Sequence, residues 1–390
     1  MPSGWEKTTL KDIAWFGGGK TPSTENKQFW KDGTVNWVTS KDMKEPIINH
    51  SQIKLSDIGA VQNTLYPKGS LLMVTRSGIL RRTLPLAILG EAATVNQDIK
   101  TICTPYTELN EYLYYYFSGR EKEILEKFQK DGTTVESIDF EKFQEIEILL
   151  PPLQEQIRII HQLKYLFNVQ SNIDSETSEL KRLINDSKSK ILELAMQGKL
   201  VPQDPTDEPA AEMLKRINPN AKILTDFQHY PQLPSNWALI RLEEITDYEQ
   251  PQRYIVRNTD YSDTYATPVL TAGKSFILGY TNELNGIYDK VPAIIFDDFT
   301  TDSHLVDFPF KVKSSAMKII RVNNNLNIEY VAMFMSMTRL IGDTHKRYWI
   351  SEYSKIPIPI PPIKEQKRIV DKVKSLYHEL DTINDLLTNT

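Results

Sequence analysis

Apolar residues from Ile159 to Leu194 recur with alternating steps of four and three. The positions are Ile159, Leu163, Leu166, Gln170, Ile173, Thr177, Leu180, Ile184, Ser187, Ile191 and Leu194, eight of the eleven apolar. That alternation is the seam of a coiled-coil helix. Pro152 suits a first helical turn, where its missing N–H has no partner, and Gly198 suits the end. A helix of about 46 residues and about 70 Å is predicted. Ile369, Val373, Leu376, Leu380, Ile383 and Leu387 repeat the register after Pro362, each 210 residues after its counterpart, over about 28 residues or ~42 Å. The two seams are expected to pack on each other through Ile159, Leu163, Leu166, Ile173 and Leu180 on one helix and Ile369, Val373, Leu376, Leu380 and Ile383 on the other. The competing reading is that each seam packs on its own globular domain. Elsewhere the pattern predicts strands at Leu71–Val74 and Ala293–Phe296, a short helix at Ala210–Ile217, and aromatic helices near Tyr112–Phe128 and Tyr330–Thr338. A proline-punctuated loop, Lys199–Pro209, and an irregular stretch through Pro231 and Pro234 lie between the halves.

The chain contains itself twice. Pro-Pro-x-x-Glu-Gln-x-Arg-Ile occurs at Pro151–Ile159 and again at Pro361–Ile369. Trp5, Leu10 and Ile13 match Trp237, Leu242 and Ile245 in spacing. Asp98–Ile102 resembles Ala316–Ile320, and Tyr112–Ser118 resembles Tyr330–Ser336, at a second constant offset of 218. The interiors, roughly residues 20–95 and 248–313, look unrelated. A constant frame around divergent interiors points to one scaffold presenting two different surfaces. The expected fold is mixed α/β: two globular domains separated by two long antiparallel coiled-coil helices. Boundaries fall at 1–150, 151–198 (long helix), 199–236 (linker with short helix), 237–360 and 361–390 (distal helix).

Composition narrows the chemistry. The 390 residues are 40% hydrophobic and 25% charged, as in globular proteins. No 18-residue apolar run predicts a membrane span, and the N-terminus does not read as a signal peptide. The single cysteine, Cys103, reads as a core residue. A cytoplasmic location is expected. A net charge of −5 disfavours non-specific coating of nucleic acid. It leaves room for local basic surfaces, and Gly59–Gly90 and Phe308–Ile328 carry basic residues and no acids.

Candidate catalytic motifs are weak. Gly19-Lys20-Thr21 ends like a phosphate-binding loop, but the pattern requires a glycine where Ala14 stands, and Pro22 follows at once. Asp297, Asp298, Asp302 and His304 could hold a metal only if they converged. Solvated acids, or acids accepting from cytosine amino groups, are the competing readings. His161 and His378 fall outside the helix seams. The sequence gives no positive sign of an S-adenosylmethionine motif or a nucleophile elbow.

Taken together, Trp5, Leu10 and Ile13 followed by Gly17–Ser23, both Pro-Pro-x-x-Glu-Gln-x-Arg-Ile motifs, and Leu192–Pro205 resemble the DNA-specificity (S) subunits of type I restriction-modification systems, over nearly the whole chain. The resemblance implies a non-catalytic subunit whose two target-recognition domains each read half of a gapped double-stranded DNA target. It implies conserved helices that dock two methyltransferase subunits, with restriction subunits joining through the complex. No cofactor of its own is implied; S-adenosylmethionine, ATP and Mg belong to the partner subunits. Two departures are Asp247–Pro251 where the first half has glycines, and the short distal helix. For such readout, Arg suits guanine, and Ser and Thr are adaptable, while Lys and Arg on phosphates set position. The candidates are Lys20, Thr21, Arg76, Ser77, Arg81 and Arg82 in the first domain. In the second they are Arg253, Tyr254, Lys274, Thr300, Thr301, Ser303, His304, Lys346, Arg347, Tyr348 and Trp349. A coiled-coil protein scaffold, or a nuclease or methyltransferase with its own site, are the alternatives.

Overall fold

A computed structural model describes residues 2–130, 135–225, 233–271, 275–340 and 346–388. The chain divides into two compact units, Met1–Ile173 and Asp174–Thr390.

In the first unit, Glu6–Thr9 pairs antiparallel with Glu147–Leu150, Glu6 opposite Leu150. This ribbon closes the domain, because the interior leaves one strand and returns on its neighbour. The interior holds a five-stranded sheet in the order Trp15–Gly18, Ile99–Cys103, Leu71–Val74, Leu86–Leu89, Ile47–Ile48, and a three-stranded sheet around Val35–Val38. Leu71–Val74 is buried along its whole length, which suits a central strand flanked on both edges. Leu71, Met73, Ile102, Leu113, Phe117 and Phe143 share one core. The predicted aromatic helix is two helices, Thr107–Ser118 and Glu121–Phe128, with Gly119 between them.

The second unit repeats the frame. Ala238–Arg241 pairs antiparallel with Pro357–Ile360, Ala238 opposite Ile360. Its interior differs: a four-stranded sheet in the order Thr246–Glu249, Met317–Val322, Ala293–Asp297, Ser303–Val306, and a three-stranded sheet centred on Thr267–Leu270. The frame's hydrogen bonds recur with the repeat. Tyr112 Oη donates to the Leu149 carbonyl at 2.7 Å and Tyr330 Oη to the Pro359 carbonyl at 2.8 Å. The Gln156 and Gln366 side chains donate to the Pro151 and Pro361 carbonyls at 2.8 and 2.9 Å. The repeated glutamine therefore has a local task. It satisfies a carbonyl just before the helix, where Pro supplies no N–H.

The two long helices run Leu153–Met196 and Ile363–Thr388, and the short helix Ala210–Ile217 forms as expected. Gly198 ends the first helix at φ +69°, where a β-carbon would collide with Pro234. Within the second unit the helices pair antiparallel. The Tyr377 hydroxyl donates to the Lys188 carbonyl at 3.0 Å and Lys188 pairs with Asp381 at 2.5 Å, while Ala195 and Met196 share a core with Ile369 and Val370.

The predicted seam needs correcting elsewhere along its length. Ile159 packs on the first unit's own core, and the Phe167 ring stacks on Tyr115, 5.9 Å between centroids. Ile369 and Val373 are buried among Tyr330, Val331 and Phe334 of their own domain as well as the helix. Leu163, Leu376 and Leu380 are half-buried. Leu166, Ile173, Leu180 and Ile383 are exposed, Ile173 to 57%. The competing reading, each seam against its own domain, describes the helix ends.

Candidate DNA-recognition surfaces

The Gly17-Gly-Gly-Lys-Thr-Pro-Ser23 stretch crosses from the strand Trp15–Gly18 into a loop. A β-carbon at Gly17 would overlap the Tyr66 hydroxyl, and one at Gly19 would overlap the Val95 carbonyl. The glycines are thus required by close packing of the loop on the sheet. The loop's polar groups are largely engaged: Lys20 N–H donates to Asn63 Oδ1 at 2.9 Å, and the Thr21 hydroxyl donates to Gln97 at 2.7 Å. The Lys20 side chain projects from the surface.

Behind this loop lies a cleft that the sequence reading did not single out. A cavity of about 610 Å³ is lined by Thr21, Thr24, Lys27, Trp30, Lys31, Trp37 and Ile53. Trp30 and Trp37 meet edge to face at 5.1 Å. Both indoles donate to the glycine loop, Trp30 to the Ser23 carbonyl at 3.0 Å and Trp37 to the Lys20 carbonyl at 3.3 Å. Aromatic walls flanked by lysines suit a nucleic-acid surface, where phosphate charge and base planes occur together. The signal in the sequence was Lys27-x-x-Trp30-Lys31 with Trp37 one short strand later.

Arg76, Ser77, Arg81 and Arg82 surround a short 3-10 turn, Gly78–Arg81, that follows the strand Leu71–Val74. Ser77 caps it, its side chain accepting from Ile79 N–H, while its own N–H donates to the Glu136 carbonyl at 3.1 Å. Arg81 is bound to the Glu136 side chain, whose carboxyl is held below its usual range by that hydrogen bond. Arg81 is therefore anchored. Arg76 and Arg82 are exposed, and neither has an ion-pair partner among the described residues.

In the second unit the acids of Asp297–His304 build a loop. Asp297 accepts from Phe299 N–H at 3.0 Å and from the Thr300 hydroxyl at 2.6 Å. Asp298 accepts from Trp349 N–H at 2.8 Å and pairs with buried Lys318 at 3.4 Å. Asp302 pairs with Arg339 at 2.6 Å. Among the described residues no three metal-ligating side chains converge. Thr301, at φ +58°, is buried and accepts from Leu340 N–H, and Ser303 is buried. Tyr348 and Trp349 point into the core, Trp349 stacking on Tyr353, and Tyr254 donates to Glu249 and packs edge to face on Tyr288. Thr301, Ser303, Tyr348 and Trp349 are buried and pack or support the loop, whereas half-buried Tyr254 is held at the separate turn Pro251–Tyr254. Lys346 is paired with Glu352. Lys274 and Pro231 lie outside the described residues.

Thr300, His304 and Arg347 remain outward-facing around that loop. His304 stacks on Phe276 at 4.2 Å, and the Arg347 guanidinium sits over the Phe299 ring at 5.8 Å. Tyr348 N–H donates to the Asp298 carbonyl, so the Arg347 segment is held against the Asp297–His304 loop. Arg253 is exposed on the separate turn Pro251–Tyr254.

The duplicated frame has a known counterpart. A family profile described as "Type I restriction modification DNA specificity domain" matches residues 2–182 and 234–389. The chain belongs to that family. The specificity subunit of the Escherichia coli type I restriction enzyme EcoR124I/EcoR124II is 51% identical over 155 residues, 36% of this chain and 38% of that protein. The MjaVIII specificity subunit of Methanocaldococcus jannaschii is 21% identical over 427 aligned positions, covering 96% of this chain and 87% of that protein. The match to the E. coli relative thus spans under two fifths of its length. Among solved structures, the HsdS subunit from Thermoanaerobacter tengcongensis superposes with TM-score 0.54 at 15% identity, over 99% of this chain and 92% of that one. A chain from a structure titled for complex assembly and conformational transition of the type I R-M system gives TM-score 0.65 at 15% identity, over 100% and 94%. These likenesses share the fold. No helix among the described residues is long and apolar enough to cross a membrane.

Proposed function

We propose that this chain is the non-catalytic specificity subunit of a type I restriction-modification complex, reading a bipartite, gapped double-stranded DNA target. The observation that carries the reading is the repeated frame holding two dissimilar interiors, each with its own outward-facing cationic loops. Residues 1–150 and 237–360 are the two recognition domains. The helices 151–198 and 361–390 and the linker 199–236 connect them and dock methyltransferase subunits, two in the full assembly, with restriction subunits joining through them. In the first domain Arg76 and Arg82 approach DNA, with Lys20 and Thr21 at the mouth of the Trp30–Trp37 cleft; Ser77 and Arg81 hold the turn. In the second, Thr300, His304, Arg347 and Arg253 do so, and Lys346 joins them by leaving Glu352. S-adenosylmethionine, ATP and Mg are bound by the partners.

The test is a methylation map. The chain is co-expressed with its methyltransferase in a methylation-free host and modified bases are read by single-molecule sequencing. A gapped motif is expected, and exchanging residues 1–150 for those of another family member should change one half only. A stable complex with no new methylation would overturn the readout.

A further inference from the structure

Arg81 is held differently from the other arginines that pair with a carboxylate. Its Nε donates to Glu136 Oε1, and among the described residues its guanidinium makes no other hydrogen bond. Each of the other ion-paired arginines commits a terminal nitrogen to a partner. Arg339 gives Nη2 to Asp302 at 2.6 Å, and Arg368 gives Nη2 to Asp207 at 2.8 Å. Arg81 keeps both terminal nitrogens, and its side chain is 66% exposed. That two-nitrogen edge matches the O6 and N7 acceptors of guanine in the major groove.

Glu136 lies 55 residues further along the chain and is set against the turn by backbone pairing. Ser77 N–H donates to the Glu136 carbonyl at 3.1 Å, Ile138 N–H donates to the Thr75 carbonyl at 2.8 Å, and Arg76 stands opposite Ser137 in an antiparallel bridge. On its other edge Ser137–Ile138 pairs with Gln129–Lys130. The Glu136 side chain is buried, so its carboxylate has a fixed place from which to hold the guanidinium plane. Fixing an arginine in advance lowers the side-chain entropy lost when it meets a ligand. The space beside the turn is open: a β-carbon at Gly78 would meet nothing within 4 Å, and Ile79 is 44% exposed.

We propose that Arg81 reads a guanine in the half of the target recognised by the first domain, and that Glu136 is the positioning residue that presents its Nη1–Nη2 edge. The assignment rests on the DNA reading above and deepens it. Holding the turn and reading the base use different nitrogens, so one side chain does both. Phosphate is served as well by Arg76 or Arg82, which are exposed and carry no ion pair among the described residues. Two coplanar acceptors on a base edge reward a guanidinium whose plane is already set.

The experiment repeats the methylation map with the full-length chain and its methyltransferase, comparing the parent with Arg81→Lys and Glu136→Gln. Lysine keeps the charge and loses the fork; glutamine keeps the shape and loses the ion pair. Glu136→Asp, which keeps the charge and shortens its reach, gives a second reading of the same position. Co-purification with the methyltransferase checks that each variant folds. One G·C pair in the first half should relax in all three variants, its discrimination against other bases falling about tenfold, with every other position and the whole second half unchanged. Uniformly weaker methylation with an unchanged motif overturns the proposal, because that is how a phosphate contact or a purely structural residue behaves. So does a first half that contains no guanine. Relaxation in Arg81→Lys with both Glu136 variants reading as the parent overturns the role of Glu136. A parent chain that yields no gapped motif overturns the DNA reading and this assignment with it, and is told apart because the failure precedes any substitution.

Discussion

Lys100 and Lys318 occupy the same position of the repeat and do opposite things. Lys318 is 1% exposed, ion-paired to Asp298 and hydrogen-bonded to Gln250 at 2.8 Å. Lys100 is half-exposed, its ammonium 5.9 Å from the Phe140 ring centre. Both lie on matching strands next to matching frames. The strand's place is set by the frame, and the fate of its lysine by the interior it meets. The duplication therefore conserves backbone hydrogen bonding and releases side-chain chemistry, which suits a scaffold for two different recognition surfaces.

The sharpest way to break that comparison is to remove both lysines. Lys318→Met leaves Asp298 buried and unpaired and should cost about 3–5 kcal/mol, while Lys100→Met should cost under about 1 kcal/mol. Urea unfolding of the two variants checks this, and equal losses would sink the contrast. Where the frame is shared, effects should be equal. Tyr112→Phe and Tyr330→Phe each strip a carbonyl of its partner, and each should cost about 1–2 kcal/mol. Burial pushes the Tyr112 hydroxyl up to about 12, so it stays protonated and donating through neutral pH.

A smaller effect separates Glu365 from Glu155. Burial holds the Glu365 carboxyl above its ordinary value, against the opposing pull of the Gln203 and Trp237 hydrogen bonds. Its ionised form thus lowers stability at neutral pH, and that penalty fades as pH falls through the raised value. Glu365→Gln keeps an acceptor for Trp237 and should be neutral or stabilising by about 1 kcal/mol at pH 7. It should also remove that part of the pH dependence. Glu155→Gln, at the half-buried counterpart position, should change stability at pH 7 by less than about 0.5 kcal/mol. Stability measured from pH 4 to 8 decides it.

Much of this frame was legible. The strand Leu71–Val74 and the helix Ala210–Ile217 came from local pattern, because burial on all sides and a short apolar stripe leave distinct periodicities. The long helices followed from their seam, but a seam names a face and not what lies against it. Hence Ile159 reads as a helix-pairing residue and packs on its own domain. The aromatic stretch Tyr112–Phe128 gave no sign of its break at Gly119. Tyr348 and Trp349 looked like surface chemistry because basic Lys346 and Arg347 precede them; the burial of Trp349 rests on Phe296, strands away in sequence, and on Tyr353 in the turn that follows. The Trp30–Trp37 cleft needed the glycine loop folded over it before its residues could be seen as one place.

The closing ribbon has an evolutionary consequence. Each domain's chain leaves the ribbon just after Thr9 or Arg241, carries its interior, and returns just before Glu147 or Pro357, and these residues face each other across paired strands. An insert whose ends already meet can be exchanged without stretching its host, and changing its length costs little loop-closure entropy. Recombination at the ribbon would replace one interior as a cassette, leaving the helices and the other interior undisturbed.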